Sequence, residues 1–367
     1  MRSLEYGDEE VGAKEIMFAV PSMVIGIGIL FLPRSLANET NFYDGAVSLL
    51  IGGFLAVFFT WVNAKLASKF PGKPLFSFVP LLVPKPVVFV LKMILTVHAM
   101  ILAAYEVRMI AEIAKQYLFD QTPVEVLSVL FLLVVVYAVS GSRVGILRLN
   151  ILFLPIIYCV ALAISFLNIA YFDYHNLFPV LTTDWNGYVA GIKQSFFSMQ
   201  GFAILLFYIA LMNKPKEAPK AAVKGMGMVI LLYLVLFTTC IGVFSNDSTS
   251  TMVFPTIELA KEIQVPGGFF ERFESLFFTI WIMAIFNTAA MSLDMTVISL
   301  RSMFKKLKKK NAIIIISPMV YLICMYPQSF IEIMGFGKII SYSGVLVAII
   351  LPSILLIIAK IRRIGDS

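Results

Sequence analysis

The chain has 367 residues and a formal net charge of +7; 60% of its residues are hydrophobic and only 14% are charged. With a mean hydropathy of +0.91, that composition excludes an ordinary soluble domain. The basic residues are dispersed among connecting segments, which excludes a nucleic-acid-binding face and leaves the lipid bilayer as the environment.

The first fifteen residues, MRSLEYGDEEVGAKE, are acidic and polar, so they are no cleavable signal peptide; a retained first span is expected from Ile16 onward. Apolar runs predict ten spans, roughly at 15–33, 45–66, 86–117, 123–141, 146–169, 187–212, 222–245, 272–301, 312–327 and 338–360. The fold class is thus an all-α polytopic membrane protein forming one transmembrane domain over 1–367. Ten spans divide as an inverted five-plus-five repeat, about 15–169 and 187–360.

Lys and Arg set the orientation. Lys69, Lys73, Lys85, Arg143, Arg148, Lys214, Lys216, Lys220, Lys224, the block from Arg301 to Lys310, Lys360, Arg362 and Arg363 fall on one side. Arg34, Lys115, Lys261, Arg272 and Lys338 fall on the other, so both termini are expected in the cytoplasm. The run KKLKKK reads as a stop signal or as an anionic-lipid or partner-docking patch. Cys159, Cys240 and Cys324 lie in apolar runs and read as small buried hydrophobes. Between spans seven and eight, TIELAKEI has helical spacing and ends before the turn signal VPGG, predicting a short helix over the outer face.

Spans one and six carry interruptions. In VIGIGILFLPR, Gly26 and Gly28 weaken the helix interior; in SFFSMQGFAILLF, Ser195, Ser198, Gln200 and Gly201 break an apolar run. These are corresponding positions of the two halves, where discontinuous helices build a binding site. Helix packing by small residues is the alternative reading of the glycines. A break frees backbone groups that are tolerable only around a cavity or ligand: N–H groups suit a carboxylate, carbonyls a cation or ammonium. A zwitterionic amino acid suits both.

The third span places His98, Tyr105 and Glu112 on one face with Arg108 between them. Arg108 and Glu112 have the spacing of a pair, read either as self-neutralising at the interface or, with His98, as a gate or relay. Tyr105 is a candidate pocket wall, and the role of Glu106 is open. Asn287 and Thr288 lie near the middle of span eight; Asp294, two turns on, is expected to pair with the basic inner loop. There is no nucleophile elbow, phosphate loop or metal-spaced His/Cys set in the sequence; the expectation is no enzyme, no metal and no cofactor.

At IGIGIL and FFSMQGF the chain resembles the amino acid–polyamine–organocation superfamily. Ile27 stands where many members have a small hydroxyl residue, and Ala203 where many have an acid; both departures bear on transport coupling. Over nearly the whole length, the ordered motifs GIGILFLPR, YDGAVSLLIGG, KFPGKPLFSF, YEVRMIAEIAKQYLFDQTP and FPTIELAKEI…PGGFFERFESLFFTIW resemble the endospore germination permease family. That resemblance implies a LeuT-like bundle. It implies the B subunit of a nutrient germinant receptor in the spore inner membrane, acting with an A subunit and a lipoprotein C subunit. The superfamily fold also implies a candidate ion site at Ser22, Ile25, Asn287 and Thr288. The candidate ligand site comprises Val24, Ile25, Gly26, Ile27, Gly28, Tyr105, Phe197, Ser198, Met199, Gln200, Gly201, Phe202 and Asn287. The ligand is expected to be a small nutrient such as an amino acid. An ion-coupled secondary amino-acid transporter is the alternative, and a scaffold with a vestigial site the third reading.

Overall fold

A computed structural model describes residues 11–263 and 273–365, without the side chains of 273–276. Residues 1–10 of the acidic N-terminal peptide, the VPGG turn and Arg272 lie outside the described residues. The described chain is helical, with one isolated bridge between Val11 and Met212.

The helices in chain order are α1 (Ala13–Val24), α2 (Gly28–Glu39), α3 (Gly45–Ser68), α4 (Leu75–Leu82), α5 (Lys85–Tyr117), α6 (Val124–Ser140), α7 (Arg143–Leu167) and α8 (Trp185–Ser198). They continue with α9 (Leu205–Tyr208), α10 (Ala218–Thr251), α11 (Pro255–Lys261), α12 (Phe273–Met303), α13 (Lys309–Met325), α14 (Phe330–Val345) and α15 (Leu351–Ile361). Short 3-10 turns flank α9, and a π-helical turn, Leu346–Ile350, joins α14 to α15. Helix starts follow local chemistry: Ser142, Asp184 and Ser329 each accept a hydrogen bond from a first-turn amide, and Pro84 precedes α5.

Six helical stretches are long and apolar enough to cross a membrane, and two bent pairs bring the number to eight. The bent pairs are α1 with α2, at 56°, and α8 with Phe202–Leu211, at 41°. They fall in the expected first and sixth spans. The expected fourth and ninth spans, α6 and α13, are helices of 17 residues each, below the usual length of about 20.

Burial separates core from periphery. In the most apolar window of α12, 78% of residues are buried, against 28% for α7. α12 packs along α5 and against α1, which puts these three at the centre. Phe54, Leu133, Tyr137, Phe166 and Ile331 stay exposed on outer helices, the pattern of a surface solvated by lipid.

At one end Asp44, buried, accepts hydrogen bonds from the amides of Leu181, Thr182 and Thr183 at 2.6–2.8 Å and pins that connection. The expected short helix is α11. Thr256 donates to the Ile29 carbonyl of α2 (3.1 Å), and Glu258 accepts from Tyr117 of α5 (3.1 Å). At the other end Asp294 accepts from Tyr208 (2.7 Å) and lies 3.7 Å from Arg143, a residue of the expected basic inner segments.

Candidate functional site

The helix breaks exist because each neighbouring helix supplies what the broken backbone lacks. Around the first break, three carbonyls receive hydrogen bonds from side chains: Ser22 from Thr288 (3.1 Å), Val24 from Tyr233 (3.1 Å) and Gly26 from Trp281 (3.3 Å). These donors stand on α10 and α12 and are buried, so exposed peptide groups are satisfied away from water. The Tyr233 hydroxyl also lies 3.3 Å from the Ser198 carbonyl at the end of α8. One tyrosine therefore joins the C-terminal ends of both broken helices.

The two breaks touch. A Cβ added to Gly28 would meet the Ser198 carbonyl oxygen at 3.2 Å. Gly201 has φ +157°, and a Cβ there would stand 3.0 Å from Val24 and 3.2 Å from Met23. Only glycine joins that backbone conformation to that close approach.

Between the breaks lies a cavity of about 500 Å³, closed off by α5 on one side and by α14 and the π-turn on another. Of the residues expected from sequence, Val24, Ile27 and Gly28 line it from the first break, and Phe197, Ser198, Gln200 and Gly201 from the second. Tyr105, His98 and Thr288 line it as well. Ile25, Gly26, Met199, Phe202, Ser22 and Asn287 do not. They pack behind the wall, with Ile25, Met199, Phe202 and Asn287 wholly buried. The assignment of Asn287 as a wall of the pocket is corrected by its burial: both its amide atoms are enclosed without a partner.

The candidate ion-site residues are only partly assembled. Thr288 meets the Ser22 carbonyl, but its hydroxyl is engaged as donor there, and the Ser22 hydroxyl is buried without a partner. Among the described residues there is no group of three or more His, Cys, Asp or Glu suited to a metal ion. The four candidate ion-site residues, Ser22, Ile25, Asn287 and Thr288, include no carboxylate. Folding brings one: Glu106, 5% exposed, lines the cavity and lies close to Thr288 and Gly26.

His98 and the Arg108–Glu112 pair sit in different places. His98 Nδ1 is 2.8 Å from the Ser343 hydroxyl, which itself donates to the Ile340 carbonyl. Arg108 pairs with Glu112 at 2.7 Å and lines a second, polar cavity of about 610 Å³ with Asp120, Glu125 and Phe330. The rings of Phe31, Phe254 and Phe330 form a cluster with centroids 4.8–6.3 Å apart; Phe31 lines the first cavity and Phe330 the second.

Sequence reasoning missed Tyr233 and Trp281. Each is the one hydrogen-bonding ring in a largely apolar stretch, VILLYLVLF and FFTIWIMAIF, and that isolation is the signal that marks them. It also missed α14, which supplies Gly337, Ser341, Tyr342 and Gly344 to the lining. Gly344 approaches Gln200 so closely that a Cβ there would collide with the amide oxygen, and the Gln200 Nε2 group is buried without a partner.

Two broken helices around a central cavity in an all-helical membrane bundle define a protein of the LeuT-like fold class. Among solved structures, the crystal structure of MhsT in complex with L-phenylalanine superimposes with a TM-score of 0.72 over 96% of this chain and 89% of that one, at 17% identity. The model of the family described as "Spore germination protein" matches residues 10–333. The chain is similar to spore germination protein GerLB of Bacillus cereus, 41% identical over 99% of this chain and 98% of the relative. It is 29% identical to YndE and 26% identical to spore germination protein A2 of Bacillus subtilis, each over 94% of both chains. The chain belongs to the spore germination protein family, and it is a membrane protein rather than an enzyme.

Proposed function

We propose that this chain is the B subunit of a nutrient germinant receptor, binding a small amino acid in the cavity between its two broken helices. The observation that carries the reading is that cavity: two touching helix breaks, an unpartnered Gln200 amide, and the ends of half-helices around about 500 Å³. The start of α2 directs free N–H groups toward a carboxylate; the ends of α1 and α8 direct carbonyls toward an ammonium. Binding draws the halves together, and the preference of ligand for the closed state passes a shape change to the A and C subunits.

In this reading the chain lies in the spore inner membrane with both termini in the cytoplasm. α6 and α13 complete ten spans in a five-plus-five inverted repeat, 15–169 and 187–360. The Arg108–Glu112 pair and the Phe31–Phe254–Phe330 cluster form the outer closure over the cavity.

The test is calorimetry of the purified full chain with the standard amino acids, beside flux into proteoliposomes. Saturable binding without gradient-driven uptake is expected. Robust uptake driven by an H⁺ or Na⁺ gradient makes the chain a secondary transporter instead, and absence of any saturable binding makes it a scaffold. In spores, Gly28→Val should abolish the nutrient response while the protein still reaches the membrane, since a side chain there meets the Ser198 backbone. A normal dose response in that variant removes the site.

A further inference from the structure

The helix ends explain the cavity's carbonyls and amides, but not its acid. Glu106 stands on α5, 5% exposed, and its Oε2 is buried without a hydrogen-bond partner. A methyl group built on Gly26 would lie 3.2 Å from Oε2 and 3.3 Å from Oε1, so the carboxyl faces the first break directly. The same methyl would lie 2.9 Å from Thr288 Oγ1. The donors nearby are spoken for: Thr288, Tyr233 and Trp281 are aimed at the carbonyls of Ser22, Val24 and Gly26.

The titratable and charged groups around Glu106 supply no counter-charge. His98 and Tyr105 share its helix and its cavity, and His98 is engaged by Ser343. Tyr233 approaches from α10 with its hydroxyl on two carbonyls. Lys193 of α8 and Lys338 of α14 line the cavity, both exposed, and the Lys193 ammonium is held by the Tyr342 hydroxyl at 3.2 Å. Among the described residues no cation pairs with the Glu106 carboxyl.

We propose that Glu106 is the counter-charge for the ligand's ammonium group, and that this ammonium displaces a proton the carboxyl carries while the cavity is empty. The proposal rests on the nutrient-binding reading above and narrows it to ligands with a free, protonated amine. An unpaired carboxylate buried this deeply is costly, so the empty site keeps its O–H bond. When R–NH₃⁺ arrives, that bond breaks, the pair R–NH₃⁺···⁻OOC forms, and the proton leaves through the cavity mouth to solvent. One proton is released for each ligand bound; with a bare amine the charge inside the cavity is unchanged, and with an amino acid the ligand's own carboxylate adds one negative charge, which the start of α2 receives.

The first experiment titrates the purified full chain with the standard amino acids in two buffers of different ionisation enthalpy. Release of close to one proton per ligand is expected, with no measurable binding of the N-acetylated form of the same amino acid. Glu106→Gln should weaken binding at least 30-fold and abolish the release, with Glu106→Asp keeping both in part. Zero release by the unaltered chain, or Glu106→Gln binding within twofold of it, overturns the proposal.

A second readout needs no amino acid and no variant. Dicyclohexylcarbodiimide, which attacks protonated carboxyls in apolar surroundings, should label Glu106 of the unaltered chain in lipid vesicles, as read by peptide mass spectrometry. Methylammonium should protect against labelling, and potassium at the same concentration should not. Protection by methylammonium when no amino acid binds leaves Glu106 as an ammonium site and removes the amino-acid reading alone. No labelling, or labelling that methylammonium leaves unchanged, overturns the role of Glu106.

Discussion

The two helix breaks look equivalent in sequence and are built differently. The first, between α1 and α2, bends by 56°, and three of the carbonyls around it receive side-chain donors from α10 and α12. The second bends by 41° and, among the described residues, has a single side-chain bond to its backbone, the one it shares through Tyr233. Its Gln200 amide nitrogen is buried with no partner, and its turn depends on one glycine at positive φ. The first break is a wall at which three carbonyls already have donors before any ligand arrives. The second keeps a donor in reserve. A sensor needs this division, since a site rigid on both sides has nothing to move when it is filled.

The sharpest way to break the comparison is at Gly201. Gly201→Val forces a β-branched residue into a φ of +157° and against Val24 and Met23. Ligand affinity should fall at least about 100-fold, equivalent to about 2.7 kcal/mol, within the range that strained backbone and close contact together impose. Calorimetry on the detergent-purified chain checks this; a change under threefold would mean that the second break does not shape the pocket.

Next in size is Tyr233→Phe, which keeps the ring and removes the one hydroxyl that touches both breaks. The buried Val24 carbonyl loses its donor and the part-buried Ser198 carbonyl its share of the same proton, at about 1–3 kcal/mol for an unsatisfied buried group, so affinity should fall about tenfold and thermal stability should drop. Trp281→Phe removes the donor to the Gly26 carbonyl and leaves the second break untouched, so its loss in affinity should be smaller than that of Tyr233→Phe. Equal losses would mean that Tyr233 acts on the first break alone.

Gly344→Ala probes the reserve donor. Its methyl would displace the Gln200 side chain, which is flexible and partly exposed, so the overpacking cost should sit near the lower end of about 1–3 kcal/mol. A three- to tenfold rise in Kd is expected from calorimetry. No change would mean that Gln200 contributes no hydrogen bond to the ligand.

The difference between the breaks shows what the chain order could reveal. Gly26, Gly28, Gln200 and Gly201 were legible because glycines and polar residues interrupt apolar runs at corresponding spans. That pattern follows from the absence of water to satisfy a broken backbone. The expected span boundaries agree with the observed helices to within a few residues in most cases, because hydropathy and length fix them. The partners that make the breaks affordable were not legible. Tyr233, Trp281 and Gly344 come from helices whose rotation about their axes is set by tertiary packing. Asn287 shows the same limit in reverse: its polarity suggested a pocket wall, and packing of α12 turned it into the core. Glu106 lies about 100° around α5 from Tyr105, yet both face the cavity, because the cavity wraps the helix.

The smallest effect belongs to the outer cavity. Arg108 and Glu112 are four residues apart on α5 and 2.7 Å apart in space, with 11% and 27% of their side chains exposed. Pairs of this kind contribute about 0.3–0.5 kcal/mol, so a double-mutant cycle with Arg108→Met and Glu112→Gln should give a coupling energy of that order in thermal unfolding. Equilibrium affinity should change less than twofold, because the inner cavity's lining does not include either side chain. The association rate is where the pair should show itself, by stopped-flow fluorescence from the buried Trp281 beside the first break. Opening the pair should speed both entry and exit and leave their ratio intact, which is the behaviour of a gate. A shift in affinity carried by the exit rate alone would place Arg108 in the site itself, and would make the polar outer cavity a second part of the ligand's binding surface.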